Sequence, residues 1–565
     1  MKLFIVESPA KARTIKSYLG KEYIVLATKG HIKDLPQKEM GIDIKTLEPK
    51  YVILPGRRKV ISYIIKVAKN SETIFLASDK DREGEIISFH LKEILSRYVK
   101  DIKRIEFTEV TKNGILNSLK TPRDINMSLV NAQKTRRVLD RIVGYVLSPI
   151  LYRNLKNEYK DASLSAGRVQ SPALRLICER ELDIKNFKQT HYYEVIIHCD
   201  KDGKKYYLKL ISEKVNGREI KFSPTNRIDE GKLKEIKENF NRDRVEVVSF
   251  KRYDDYIKPL PPFKTSTLQQ DASAKLSFSP SKTMKIAQEL YEGMNIDGEF
   301  VGLITYMRTD SVRISDYALK RTREFIRDRI GPEYLPPTPR IYESSSPNEQ
   351  GAHECIRPTD IYRVPTLLKN KIPEDHYRLY DLIWRRFLAS QMKDAVLSVL
   401  EVLASDGKYY FFGISKRLVE EHFMKFYPHS VPEDVFLPIL EKGERIKVLD
   451  LEAVKRKTQP PPRYTEATLI KKLEDEGIGR PSTYATIVST LLARKYVVKE
   501  NKSLVPTELG FKVYEFLKFN YPTVIDLKLT SRMEETLDKI ENDQEKDWKK
   551  ALLDMIREIK VPFEI

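Results

Sequence analysis

The chain opens on a short apolar run, KLFIV, and turns polar at once in ESPAKARTIKSYLG. Ser8 stands where a helix cap belongs, and Pro9 suits the first helical turn. The run ETIFLASD repeats the strand-to-loop form, and REGEIISFHLKEIL continues as an amphipathic helix. Strand, acidic loop and helix, used twice, predict an α/β domain to about residue 120 with ligands beyond the strand ends.

From Ser128 to Glu181 the apolar spacing is helical: SLVNAQKTRRVLDRIVGYVLSPILYRNL, then a Ser/Gly hinge and LSAGRVQSPALRLICERE. HYYEVIIHC and KKYYLKLI alternate apolar with polar positions and predict strands, as do VEVVSF, VLSVLEVL and YYFFGI further on. The stretch between the early and late strands is mostly helical, so a β domain interrupted by a helical insertion is expected. Two segments resemble each other. One begins at Pro261 and one at Pro461, and each has a Pro-Pro turn, a capping Thr (Thr265, Thr465), a helix, and Pro-Ser (Pro280-Ser281, Pro481-Ser482) opening a second helix. This pattern predicts one helix-turn-helix unit used twice, either as plain packing modules or to dock a helix against DNA. A charged helical stretch from Asp526 to Lys550 follows.

Composition sharpens this picture in one respect. At 565 residues the chain needs several cores. Its 41% hydrophobic and 32% charged residues are ordinary, but a formal net charge of +20 is not. Such a field favours an anionic partner, nucleic acid first and an anionic membrane surface second. The basic residues are dispersed without an amphipathic anchor, which disfavours the membrane. Cys178, Cys199 and Cys355 are scattered with no CxxC pair, so neither a zinc site nor a disulfide framework is expected. The N-terminus is neither a signal peptide nor a span, and no run of about 18 apolar residues occurs, so the cytoplasm is the expected location.

The sharpest chemistry lies in Asp79-Lys80-Asp81-Arg82-Glu83, directly after an apolar strand. In an extended loop the three acids alternate and face one way, a concentration of charge that calls for a cation, and oxygen ligands suit Mg²⁺. A solvated, charge-rich turn is the plainer alternative for an isolated DxDxE. Glu7, just after the first strand, would join these acids in one crevice if the two strands are neighbours in a parallel sheet. Lys11 and Arg82 add cations for a phosphodiester. These residues serve a nuclease or a primase equally well.

The segment bearing the DxDxE loop resembles a Toprim domain, and the whole chain resembles the type IA DNA topoisomerases, particularly the bacterial topoisomerase I branch. The resemblance runs through IVESPAKARTI (from Ile5), GHIKDLP (Gly30), DREGE (Asp81), RRVLDRIVGY (Arg136) and LSAGRVQSP (Leu164). It continues through GLITYMRTDS (Gly302), GAHECIRPTD (Gly351) and GIGRPSTYATI (Gly477). It implies a multidomain α/β fold plus a β arch and helical domains, arranged as a toroid with winged-helix-like units. The implied units are a Toprim domain, 1–120; a helical base, 121–185 and 456–565; a β-rich arch, 186–255 and 370–455; and a helical domain carrying the tyrosine, 256–369.

By the same resemblance Tyr306 is the nucleophile, one of 30 tyrosines that residue type alone cannot rank. It would form a 5′-phosphotyrosine, storing the broken bond so that the 3′-hydroxyl can reverse the step without ATP. Arg308 would steady phosphate and phenolate. Glu7 is the implied proton donor to the departing oxygen, Lys11 the stabiliser of the scissile phosphate, and His353 a phosphate contact or proton relay. Asp79, Asp81 and Glu83, with Glu7, are the implied Mg²⁺ ligands. Arg136, Asp140 and Arg168 are expected near a bound single strand, with Arg82, Thr309 and Arg357 as neighbours.

The expected substrate is negatively supercoiled DNA with a single-stranded region, relaxed by a monomer. No GxxxxGK occurs, so no ATP is expected. Many bacterial relatives continue into Cys-rich zinc ribbons, and with so few cysteines no structural zinc is expected. The rivals are a topoisomerase III-like enzyme favouring decatenation, a nuclease releasing free ends, and a catalytically silent DNA-binding protein. The last would have lost Tyr306, Glu7 or the acidic triad, all of which are present.

Overall fold

The computed structural model describes residues 1–563 except 157, 160–162, 344–352 and 432. Gly351 and Ala352, which open the GAHECIRPTD motif, lie outside the described residues.

The N-terminal unit is a four-stranded parallel sheet in the order Tyr23–Ala27, Lys2–Val6, Thr73–Leu76, Asp101–Arg104. Alternation along the first strand splits it between two cores. Leu3 and Ile5 pack with Ile61, Ile64, Ile87 and Leu91 beneath the unit's own helices. Phe4 and Val6 face the other way, joining Leu303, Ile304, Tyr306 and Met307 in a second core. One face of the sheet therefore seals the α/β unit, and the other is the floor on which the tyrosine-bearing segment rests.

A seven-stranded antiparallel sheet forms the β-rich part. Its main path runs Glu246–Ile257, Ala395–Ser405, Tyr409–Glu420, Lys204–Val215, His191–Lys201, Lys447–Lys457, and Arg218–Lys221 pairs with Lys204–Val215. Strands 246–257 and 395–405 are hydrogen-bonded neighbours, so the intervening helical segment is inserted into a continuous sheet. The helix Glu374–Ser390 is the last helix before the strand Ala395–Ser405. The sequence reading places it with the arch, yet Leu379, Ile383, Phe387 and Leu388 are buried in the core around Tyr306. Its apolar face packs against the helix Pro280–Glu292 of the inserted segment.

The helices Met127–Leu155, Gln170–Lys185, Glu466–Asp475, Tyr484–Ala493, Glu508–Asn520, Leu527–Glu541 and Trp548–Ile559 share one large core, although the first two are separated from the rest by about half the chain. The internal repeat is real in three dimensions. Helices Thr265–Asp271 and Pro280–Glu292 lead into the hairpin Met294–Ile296/Glu299–Val301, and helices 466–475 and 484–493 lead into the hairpin Val497–Glu500/Ser503–Pro506. The two units pack on each other, 265–271 against 466–475 and 280–292 against 484–493.

Candidate active site

Parallel pairing of strands 2–6 and 73–76, with Ile5 opposite Leu76, carries Glu7 and Asp79 off adjacent strand ends. The backbone N–H of Asp79 donates to Glu7 Oε1 at 2.7 Å. Behind the loop, the buried Arg104 donates to the carbonyls of Ser78 and Asp79 at 2.8 Å each and pairs with Glu85 at 3.0 Å. Asp81 then caps the helix Arg82–Leu95, its Oδ1 accepting from Gly84 N–H at 2.8 Å. Glycine is required at 84 because a Cβ there would lie 2.1 Å from the Asp79 carbonyl oxygen.

Tyr306 comes from the inserted segment and is only 3% exposed. Its N–H donates to the Thr108 carbonyl at 2.8 Å, tying it to the edge of the α/β unit. Its hydroxyl donates to Asp81 Oδ2 at 2.6 Å, and Arg308 Nη1 reaches the same oxygen at 3.3 Å. Burial, then the charge of Asp81, holds the phenol well above its ordinary range, with Arg308 pulling the other way. For Asp81, burial is outweighed by Arg308 and by the Tyr306 hydroxyl, and its carboxyl sits below the usual range. Tyr306 is therefore a neutral phenol held against a carboxylate.

Lys11 is fully buried and ion-paired with Asp79. Burial lowers its affinity for a proton, but Asp79 and Glu7 outweigh that and keep it charged. Burial, followed by the charges of Asp79 and Asp81, pushes Glu7 up to about 7. His353 lies with its ring 6.3 Å from that of Tyr306, and burial followed by Lys80 pulls it down to about 4, so it is neutral at pH 7.

The carboxylates of Glu7, Asp79, Asp81 and Glu83 are hard oxygen donors, the chemistry a divalent cation such as Mg²⁺ takes. They are not a ready-made cage: among the described residues no three such side chains already converge on one point. Asp79 is held by Lys11, Asp81 by its cap, Tyr306 and Arg308, and Glu83 by Gln133 at 2.9 Å and His31 at 3.1 Å.

Beside the acids a groove of about 600 Å³ is lined by Arg136, Asp140, Arg168, Thr486 and Arg494 among others. Arg136 and Arg168 reach Asp140 at 3.7 and 2.9 Å, and Arg168 also pairs with the buried Glu534 at 2.6 Å. Arg82 and Thr309 line a second cavity, of about 660 Å³, together with Asp81, Glu83 and Arg308, while Arg357 lies outside it. Arg82 is buried against Glu541 at 2.8 Å and Asp538 at 3.3 Å. Arg357 is buried against Glu354 and Glu109, and the backbone of Thr309 is fastened to Thr265.

Several site residues escaped the sequence reading. His31 and Arg480, the latter lining the cavity of Asp81 and Arg308 and donating to Asp538 at 3.0 Å, stand inside motifs quoted above, so their signal was present. Glu534, Asp538 and Glu541 lie at i, i+4 and i+7 on one helical face, a spacing that could have marked them. Gln133 and Tyr291 carry no local signal.

Comparison with known proteins agrees with this geometry. A Toprim-domain model matches residues 2–110, and a DNA topoisomerase model matches residues 124–552. DNA topoisomerase 1 of Fervidobacterium islandicum is 44% identical over 573 aligned positions, covering 100% of this chain and 78% of the relative. The same enzyme of Rickettsia bellii is 43% identical, covering 98% and 70%. Full-length topoisomerase I from Thermotoga maritima superposes with a TM-score of 0.84 at 39% identity, covering 100% of this chain and 90% of that one. A Toprim sheet, a β arch and a buried tyrosine define a topoisomerase, a DNA-binding isomerase. The chain belongs to the type IA DNA topoisomerase family, of the topoisomerase I kind.

Proposed function

We propose that the protein relaxes negatively supercoiled DNA without ATP, cutting one strand through a 5′-phosphotyrosine on Tyr306 and resealing it after strand passage. One observation carries this reading: the Tyr306 hydroxyl, from the inserted segment, is held 2.6 Å from Asp81 of the Toprim loop. Nucleophile and acids belong to separate parts of the chain, as an enzyme that must open between them requires.

In this reading Tyr306 Oη attacks the phosphorus, and its proton faces Asp81 as first acceptor. Arg308 offsets the charge gathering on phosphate and phenolate. The bond to the 3′-oxygen breaks, and Glu7 supplies the proton to that oxygen. A carboxyl near 7 is half protonated at neutral pH, which suits a donor that must be recharged each cycle. Lys11, kept charged, faces the scissile phosphate. Neutral His353 can donate or accept a hydrogen bond without adding charge.

Asp79, Asp81, Glu83 and Glu7 would hold Mg²⁺. When bound it would neutralise phosphate charge and favour rejoining. Arg136, Asp140 and Arg168 line the groove that we assign to the single strand, and it would keep the 3′ end while the 5′ end stays on Tyr306. We assign the helix 374–390 to the tyrosine-bearing unit and otherwise retain the four units above, acting as a monomer in the cytoplasm. Among the described residues no helix is long and apolar enough to cross a membrane.

The test uses negatively supercoiled plasmid with Mg²⁺ and no ATP. Stepwise relaxation and a 5′-linked adduct, both lost in Tyr306→Phe while DNA binding persists, are expected. Nicked product without an adduct would select the nuclease reading. Ala at 79, 81 and 83 together should impair relaxation far more than binding; unchanged relaxation would remove the metal assignment.

A further inference from the structure

Tyr291 has no place in the chemistry so far, yet it is completely buried at its centre. It lies in the last turn of the helix Pro280–Glu292, in the same inserted segment as Tyr306. Its ring meets the Tyr306 ring edge to face, with centroids 5.3 Å apart and planes at 64°. Lys11 Nζ, from the Toprim helix Pro9–Tyr18, lies 5.2 Å from the centroid of the same ring. An ammonium at that distance is attracted by the ring quadrupole, and the attraction grows when water is excluded. Lys11 is fully buried, so that condition holds.

The neighbourhood locks this contact to the closed arrangement of the two parts. Thr14 Oγ1, one turn beyond Lys11, donates to the Glu292 carbonyl at 2.8 Å. A Cβ on Gly293 would come within 2.3 Å of the same Thr14 oxygen, so the approach leaves no room for a side chain. The Tyr18 hydroxyl donates to the Phe300 carbonyl at 2.9 Å. Lys11, Thr14 and Tyr18 thus form one Toprim face against the segment following Tyr291.

We infer that Tyr291 is a positioning residue for cleavage, whose ring fixes the Lys11 ammonium and the Tyr306 ring together only when the Toprim and tyrosine-bearing parts are closed. Lys11 has two holds, the Asp79 carboxylate within its own unit and the Tyr291 ring across the divide. Opening removes the second. The cation then leaves its cleavage position as the nucleophile does, and both return together on closure. This rests on Tyr306 as nucleophile and Lys11 as phosphate stabiliser.

The experiment separates electrostatics from shape. Starting from Tyr291→Phe, the ring is replaced by its mono-, di- and trifluoro analogues, which drain the ring face at nearly constant size. Single-turnover cleavage of a single-stranded oligonucleotide and its Kd are measured for each. A stepwise fall in cleavage rate, reaching about tenfold at trifluoro with Kd unchanged, is expected. The same ladder in a Lys11→Met background should be flat at its lower rate. A flat ladder in the Lys11 protein overturns the inference, as does a fall that follows Kd, because packing alone would produce either. If Tyr306→Phe still forms the adduct, the underlying reading fails instead, and the two failures are distinguishable.

Discussion

At the residue scale, the site is a set of charges whose values depend on burial. Arg308 reaches the Asp81 oxygen that accepts the Tyr306 hydroxyl hydrogen bond. Arg308→Ala should lower the cleavage rate on the order of a hundredfold with little change in oligonucleotide affinity, read by single-turnover kinetics and titration. A different buried group governs stability at low pH. His90 is 1% exposed and packed 4.5 Å from the Tyr51 ring, and neither ring nitrogen finds a hydrogen-bond partner among the described residues. Burial, then Lys33 and His31, pulls it down to about 3. The unfolded chain takes up this proton near pH ~6.5 and the fold resists it. Its contribution is therefore present above ~6.5 and lost as pH falls toward 3, a few kcal/mol at most. His90→Phe should flatten the fall of Tm between pH 6.5 and 4, and an equally steep fall would clear His90 of that role.

At the element scale, closure rests on backbone contacts and on the repeated helical unit. The Gly302 N–H donates to the Val110 carbonyl at 3.2 Å, and a Cβ there would lie 2.6 Å from that oxygen and 2.8 Å from the Tyr291 carbonyl. Gly302→Ala should push the Tyr306 segment off the Toprim edge and reduce adduct formation at least about tenfold, while groove binding persists. The two repeats are joined by Glu474, whose Oε1 accepts from Ser266 Oγ and pairs with Lys264 Nζ, both at 2.8 Å. Glu474→Ala removes a half-buried contact worth about 1 kcal/mol, so the open fraction should rise roughly fivefold. Dwell times of single molecules under tension would measure this, and an unchanged open time would show that the latch lies elsewhere.

At the scale of the whole molecule, a net charge of +20 coexists with an acidic centre. Affinity for single-stranded DNA should fall linearly with log salt, and Arg136→Ala should shallow that slope by about 0.7 if one phosphate contact is lost. Arg168 differs although it lines the same groove. It is 2% exposed and neutralises Glu534, a buried carboxylate that this and neighbouring arginines hold far below the usual range against burial. Arg168→Ala should cost about 3–5 kcal/mol of stability, because it leaves a charge buried without its partner. A thermal melt would distinguish the two arginines: Tm drops for Arg168→Ala and barely moves for Arg136→Ala.

What the sequence determined by itself was local. Period-two patterning placed five of the seven strands of the antiparallel sheet and period-3.6 patterning many of the helices, and Ser8 and Pro9 marked the start of the first helix because capping is a matter of neighbouring residues. Two similar strand-loop-helix segments set Glu7 beside the DxDxE loop on the condition that their strands are parallel neighbours, and the pairing of strands 2–6 and 73–76 met that condition. Motif resemblance singled out Tyr306, which no spacing rule could do. Tertiary structure decided the rest. It put Tyr291 between Lys11 and Tyr306, Gln133 on Glu83, and Glu534 beneath Arg168, joining residues tens to hundreds of positions apart. It also moved helix 374–390 into the core around Tyr306 and drew Arg82 and Arg357 inward onto carboxylates. An arginine reads the same in sequence whether it meets phosphate or a buried acid. Only the packing of distant elements sets its dielectric surroundings and its partners, and so its role.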